Sequence, residues 1–357
     1  MGGELSMCIR TSISKKLSLI LVLCFITSFL IPAGNVHAGE SLTNSAIQFI
    51  KDDFMNDGMV NSDNGVGSYA LYVLAEAGVA VGEWEYDGEA FPDLVCDAVE
   101  DDISKAADPS EPTLAKLLSQ DLAAALALER DDLAEDLVEK LAARQTETGF
   151  DSSLFSNVPA FDLLGRLGFI NEINTGQARD YILGQQNITT AANDIYSWGF
   201  VYGGDYYPDF IATAQAVRSL HYLDPDGEDD TVQEAINNAL EWMENQQQAD
   251  GSFVPAGGVP GMDDPLINAC EAIVTLHTLN MDPDSWSSAG NSALDYLEND
   301  GRNDDGSFGA GRNIMDATAF LFAYSLVMEA EDELYIDPAN PTLEVDETVQ
   351  LQAKYVS

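Results

Sequence analysis

Ala239-Leu-Glu-Trp-Met-Glu-Asn-Gln246 followed by Gln247-Gln-Ala-Asp-Gly-Ser-Phe253 decides the fold: an amphipathic helix runs into a glycine-aromatic turn. The phrase returns at Gln145 to Phe150 (QTETGF), Tyr196 to Phe200 (YSWGF) and Asn303 to Phe308 (NDDGSF). The closing Phe150, Phe200, Phe253 and Phe308 are 50, 53 and 55 residues apart. Self-similarity at that period marks stacked supersecondary units, each unable to bury its apolar face alone. A residue that recurs in every unit is therefore read first as structural.

Outward from this stretch the pattern is helix after helix, separated by Gly, Asp, Asn and Pro turns. Six pairs are expected: Ser41 to Phe54 with Ser68 to Ala77, Phe91 to Ala106 with Pro112 to Leu128, and Asp131 to Ala143 with Pro159 to Leu167. Thr175 to Gln186 with Asp209 to Tyr222, Thr231 to Gln247 with Asp264 to Asn280, and Ser287 to Asn299 with Asp316 to Glu329 complete the set. The first helix of a pair is amphipathic, with Ala235, Ile236, Ala239, Leu240 and Met243 on one stripe. The second is apolar on most sides, as in Leu266 to Val274 and Ala317 to Tyr324. Half-buried helices alternating with fully buried ones predict two concentric layers, an all-α (α/α)6 toroid. Asp209, Asp264 and Asp316 each announce an apolar helix and are read as N-caps, Pro265 following Asp264 at the first helical position.

The turn and its preceding helix resemble the repeats of squalene/hopene cyclases, protein prenyltransferase β-subunits and cobalamin carriers. The match is best from Ala239 to Phe253, with Ala178 to Gln185 and Ser292 to Phe308 as looser copies. Phe stands where the cyclases commonly carry Trp. The resemblance implies a toroid over residues 39–332, with the amphipathic helices outside.

Arg10, Lys15 and Lys16, the apolar Leu17 to Ile31 and the Val36-His37-Ala38 site have the layout of a secretory signal peptide over 1–38. The mature chain is expected to be exported, to the bacterial surface or medium, with no membrane span. From Leu334 the residues alternate as strands do. Ile336-Asp-Pro and Leu343 to Ala353 are similar to the opening of bacterial Ig-like group 2 domains. That likeness implies a partial domain over 333–357 and cell-wall association through further modules.

The chain carries 61 Asp and Glu against 15 Lys and Arg, a net charge of −46. Such an excess excludes nucleic acid and anionic membrane as partners. Cys96 and Cys270, the cysteines beyond the leader, allow one disulfide.

Catalytic signals are sparse. The D-x-D-D motif of the class II cyclases is absent, and the acidic Asp224 to Asp230 stretch reads as a hydrated turn. His221 and His277 occupy matching tetrapeptides and read as repeat residues, so no zinc set, no catalytic residue and no cofactor is assigned. The exception to the repeat is Tyr196 to Phe210, with seven aromatics in fifteen residues. Trp198, Tyr202, Asp205, Tyr206 and Tyr207 on that loop are the candidate ligand contacts, as stacking faces with orienting polar groups. Trp84 and Trp286 either join such a rim or pack.

The expected function is therefore a non-catalytic surface toroid binding an extracellular polysaccharide, cobalamin-like cofactor or protein. The alternative is a terpene cyclase- or lyase-type enzyme working in the central cavity. A structural spacer or adhesin is the second alternative.

Overall fold

The computed structural model describes residues 38–58, 66–106, 114–189, 194–259, 263–331, 334–337 and 352–355. Residues Gly39–Ser357 form one compact unit, and the leader-like segment and most of the tail lie outside the described residues.

Twelve α-helices are described: α1 (Ala38–Asp57), α2 (Val66–Glu76), α3 (Phe91–Ala106), α4 (Ala115–Ala127), α5 (Asp131–Arg144) and α6 (Leu154–Arg166). They continue with α7 (Thr175–Gln185), α8 (Phe210–Leu223), α9 (Asp230–Glu244), α10 (Pro265–Thr278), α11 (Ala293–Asp300) and α12 (Ile314–Glu331). The even-numbered helices pack in order, α2 on α4, α6, α8, α10 and α12, and α12 returns to α2. The ring is closed. Tyr69 and Tyr72 of α2 meet the Phe322 ring of α12 at 6.4 and 6.3 Å across this seam.

Odd-numbered helices form the outer layer, as their amphipathicity requires. In α9 the buried residues are Val232, Ala235, Ile236, Ala239, Trp242 and Met243, one helical stripe. In α10 they run almost without interruption from Leu266 to Leu276. All six expected pairs are present.

Three of the four repeated turns are alike: Gly149, Gly251 and Gly306 have φ of 90, 92 and 90°, a left-handed conformation that glycine adopts without strain. YSWGF differs. Gly199 opens the strand β3 (Gly199–Tyr202), which pairs antiparallel with β4 (Asp205–Pro208) through a Gly203-Gly204 turn. The fully buried aromatic is Trp198, not the half-buried Phe200. The Trp198 backbone N–H donates to Thr213 Oγ1, 2.9 Å away. Trp198 stands 11 residues before the cap Asp209, as Phe253 stands 11 before Asp264, so Trp198 is the repeat's own core residue.

Asp209 and Asp264 do cap their helices, accepting from the backbone N–H of Ala212 and Leu266. Asp316 does not. Asn313 caps α12 instead, while Asp316 lies inside the first turn with Oδ2 buried and lacking a hydrogen-bond partner. The helix expected from Pro159 begins five residues earlier, at Leu154, with Pro159 inside it. Gly165 fits within α6 because a Cβ there would lie 2.2 Å from the Tyr222 ring of α8. The helix ends at Gly168 (φ 80°) in a Schellman motif, Phe169 N–H donating to Leu164 O.

Trp84 and Trp286 are both buried, each at the start of a short hairpin that leads into an outer helix. Trp84 precedes β1 (Glu85–Tyr86) and β2 (Glu89–Ala90), and Trp286 precedes β5 (Ser287–Ser288) and β6 (Asn291–Ser292). They pack; they form no rim. Cys96 and Cys270 are free thiols, so the disulfide does not form. At the tail β7 (Leu334–Asp337) pairs antiparallel with β8 (Gln352–Tyr355), as the alternation predicts.

Candidate functional site

Closing six apolar helices into a ring leaves an axial space, and all six line it. The cavity measures ≈ 190 Å³. Five inner helices enter it with a first-turn residue, Val66, Lys116, Ile211, Ile267 and Met315, and Met315 is 44 % exposed at this mouth. The walls farther in are Tyr69, Leu163, Val274 and Phe322.

Set into this apolar wall is a charged cluster. Arg218 of α8, 1 % exposed, donates from Nε to both Asp162 carboxylate oxygens at 3.0 and 3.1 Å. Its Nη2 donates to Asp162 Oδ2 at 2.6 Å and Glu271 Oε2 at 2.7 Å, and Nη1 to Thr275 Oγ1 at 2.8 Å. One guanidinium thus ties α6, α8 and α10 together. Burial works against its charge, but Asp162 and Glu271 outweigh that and hold its pKa above the ordinary value. Gln215 Nε2 donates to the other Glu271 oxygen at 3.3 Å.

Two further cations face the same space. Lys116 of α4 and Arg166 of α6 line the cavity, and neither makes an ion pair or side-chain hydrogen bond among the described residues. Burial pushes the Lys116 pKa down, with Glu271 pulling it back. Arg166 rests its guanidinium 4.5 Å over the Phe322 ring, a cation–π contact. Of the 15 Lys and Arg, three lie in the leader-like segment, so these three cavity cations are a quarter of the rest. Thr318 Oγ1 and Gln120 Oε1, also on the cavity wall, are buried without a hydrogen-bond partner. Orphaned polar atoms beside unpaired cations are the signature of a wall that meets a ligand or ordered water.

The aromatic loop is built differently. Trp198 is fully buried with Nε1–H bonded to Ile182 O at 2.8 Å, so its ring is not free to stack on a ligand. Tyr206 is half-buried, its hydroxyl 3.1 Å from Ser197 O, and Tyr207 stacks on Phe200 at 5.5 Å. Tyr202 and Asp205 are exposed at the hairpin tip. The hairpin joins four of the five residues in one ribbon, and none of the five lines the cavity.

Other acids and histidines take structural places. Asp224 accepts from the backbone N–H of Glu228 and Asp229, which folds the acidic turn, and Asp229 caps α9. His221 and His277 end inner helices, their pKa values lowered by burial. Among the described residues no group of three His, Cys, Asp or Glu could hold a metal ion, and no helix is long and apolar enough to cross a membrane.

Neither a scan of protein-family models nor a search of curated proteins finds a match. Solved structures do match. A single-residue variant of the type II terpene cyclase MstE from Scytonema, bound to geranylgeranyl dihydroxybenzoate, aligns at TM-score 0.52 and 14 % identity over 82 % of this chain and 97 % of that one. A ligand-free form of the same cyclase aligns at TM-score 0.50, with the same identity and coverage. The chain shares the type II terpene cyclase fold. At this identity the likeness extends to the helical toroid and not to its chemistry.

Proposed function

We propose that the toroid works through its axial cavity, on an amphiphilic small molecule with an isoprenoid-like apolar part. The observation that carries this reading is the cavity itself: six helices supply an apolar wall with buried, unpaired polar groups on it. Substrate-bound MstE, whose fold this chain shares, holds a prenylated aromatic acid. The enzyme alternative, a cyclase- or lyase-type protein, is therefore favoured over polysaccharide or protein binding at the hairpin. The leader-like segment supports action outside the cytoplasm, and the tail supports attachment to further surface modules.

Size limits the ligand. A cavity of about 150 Å³ holds benzene, and sites for drug-sized ligands span about 300–1,000 Å³. At ≈ 190 Å³ this cavity takes a ring or head group, with the remainder running out past Met315.

A specific observation favours a second reading, a carrier. Protonating an alkene needs a neutral, buried acid aimed at the substrate. Asp162 and Glu271 are both paired with Arg218. Asp121 is buried and raised to about 7, but it bonds Ser68 and lies off the cavity wall. Geranylgeraniol, a neutral probe, tests both readings. Saturable binding that Ile211→Trp abolishes locates function in the cavity. A cyclised isomer after incubation marks the enzyme, and unchanged probe the carrier. Binding indifferent to Ile211→Trp overturns the proposal.

A further inference from the structure

We propose that Lys116 forms an imine with a carbonyl-bearing ligand in the cavity, with Glu271 as the facing counter-charge. The inference rests on the cavity reading above and names the functional group that this cavity takes.

Position in the repeat comes first. Five inner helices send a first-turn residue into the cavity: Val66, Lys116, Ile211, Ile267 and Met315. Four are apolar, and an apolar side chain at the fifth would complete the wall equally well. Lys116 is instead the single cation of α4. An ammonium set in such a wall costs free energy unless it is matched. Other lysines are matched. Lys105 lies 2.7 Å from Asp101 and 3.5 Å from Asp102, and Lys51 sits 5.6 Å over the Trp84 ring. Lys116 has no ion pair or side-chain hydrogen bond among the described residues.

The surroundings suit an amine nucleophile. Burial favours the uncharged amine, the nucleophilic form, and lowers the Lys116 pKa. Glu271 lines the same cavity and is the charge that opposes this shift without cancelling it. Its carboxylate is fixed by Arg218 Nη2 at 2.7 Å and Gln215 Nε2 at 3.3 Å. The Nζ lone pair adds to the carbonyl carbon, and the C=O π pair moves to oxygen. A proton passes from nitrogen to that oxygen, and loss of water then forms the C=N bond. No electrons are exchanged, and water is the other product. The protonated imine carries the same single positive charge as the ammonium, so Glu271 faces an unchanged charge.

Benzaldehyde, a ring-sized probe for the ≈ 190 Å³ cavity, tests this with cyanoborohydride at pH 7 on the intact protein. Reduction fixes any imine as a benzylamine, which peptide mapping then locates. Lys116 is expected to be labelled at least tenfold faster than Lys51, Lys105 and Lys140, and saturating geranylgeraniol should suppress that labelling. Lys116→Arg should leave only the slow reaction at the other lysines. Labelling spread evenly over these lysines, or sparing Lys116, overturns the imine. The cavity reading still stands in that case if geranylgeraniol binds and Ile211→Trp abolishes it. Fast labelling of Lys116 in a protein that binds no geranylgeraniol keeps the imine and removes the isoprenoid reading. The wild-type map needs no variant, so poor folding of a substitution does not protect the proposal.

Discussion

The axial cavity and the β3–β4 hairpin, which leads into α8, are opposite constructions. The hairpin is a local ribbon whose aromatics sit close together in sequence: Trp198, Tyr202, Tyr206 and Tyr207 fall within ten residues. The cavity is assembled from single residues scattered over six helices, Lys116, Asp162, Arg166, Arg218 and Glu271 among them. The hairpin shows its chemistry to solvent or uses it to pack. The cavity buries charge, holds part of it in pairs and leaves part unmatched. Conspicuous sequence density thus marks packing, and dispersed, locally anomalous charge marks the site.

Arg218→Met gives the largest expected effect. It strands Asp162 and Glu271 without their cation, and breaking a buried pair costs about 3–5 kcal/mol. Denaturant unfolding should show that loss; a change under 1 kcal/mol would mean the cluster is not a structural tie between α6, α8 and α10.

Asp121 sharpens the contrast between paired and unpaired buried charge. Burial is the main cause that lifts its carboxyl to about 7, partly opposed by the Ser68 hydroxyl, so the folded chain binds the proton more tightly than the unfolded one. Its stabilising contribution is complete below about pH 4 and is lost as pH rises through about 7. Asp121→Asn should therefore raise stability at pH 8, by up to about 4 kcal/mol, and flatten the profile between pH 4 and 8. An unchanged profile would place the titration elsewhere.

Trp198→Phe tests the root of the hairpin. It removes the indole N–H from Ile182 O and leaves a gap in the core, at a cost of about 1–3 kcal/mol. Tyr202→Ala at the tip, where the side chain is 74 % exposed, should change stability by less than about 0.5 kcal/mol and leave ligand binding intact.

Much of the architecture was legible because helical periodicity survives in every unit. The stripe from Val232 to Met243 and the apolar run from Leu266 to Leu276 follow from side-chain hydropathy alone. Asp209 and Asp264 were legible as caps because residue type and position agreed. Asp316 was not, since Asn313 two residues upstream of Met315 captures the same helix end. Pro159 reads as the start of a helix, whereas the helix begins at Leu154, and the contact of Gly165 with Tyr222 is a tertiary fact. Phe200 stood in for Trp198 because the YSWGF stretch keeps the glycine but forms a hairpin in place of a turn. The cavity left a faint trace. Arg218 and Glu271 are charges inside otherwise apolar helices, where burying an ion requires a partner. The pairing itself spans 53 residues and becomes visible only once the ring closes.

The most direct test of the central claim is geranylgeraniol binding, followed by calorimetry, in Ile211→Trp and Tyr206→Ala side by side. Filling the cavity at Ile211 should abolish binding, and trimming Tyr206 should leave it within about twofold of wild type. Binding that survives Ile211→Trp but fails in Tyr206→Ala would move the site to the hairpin and contradict the account.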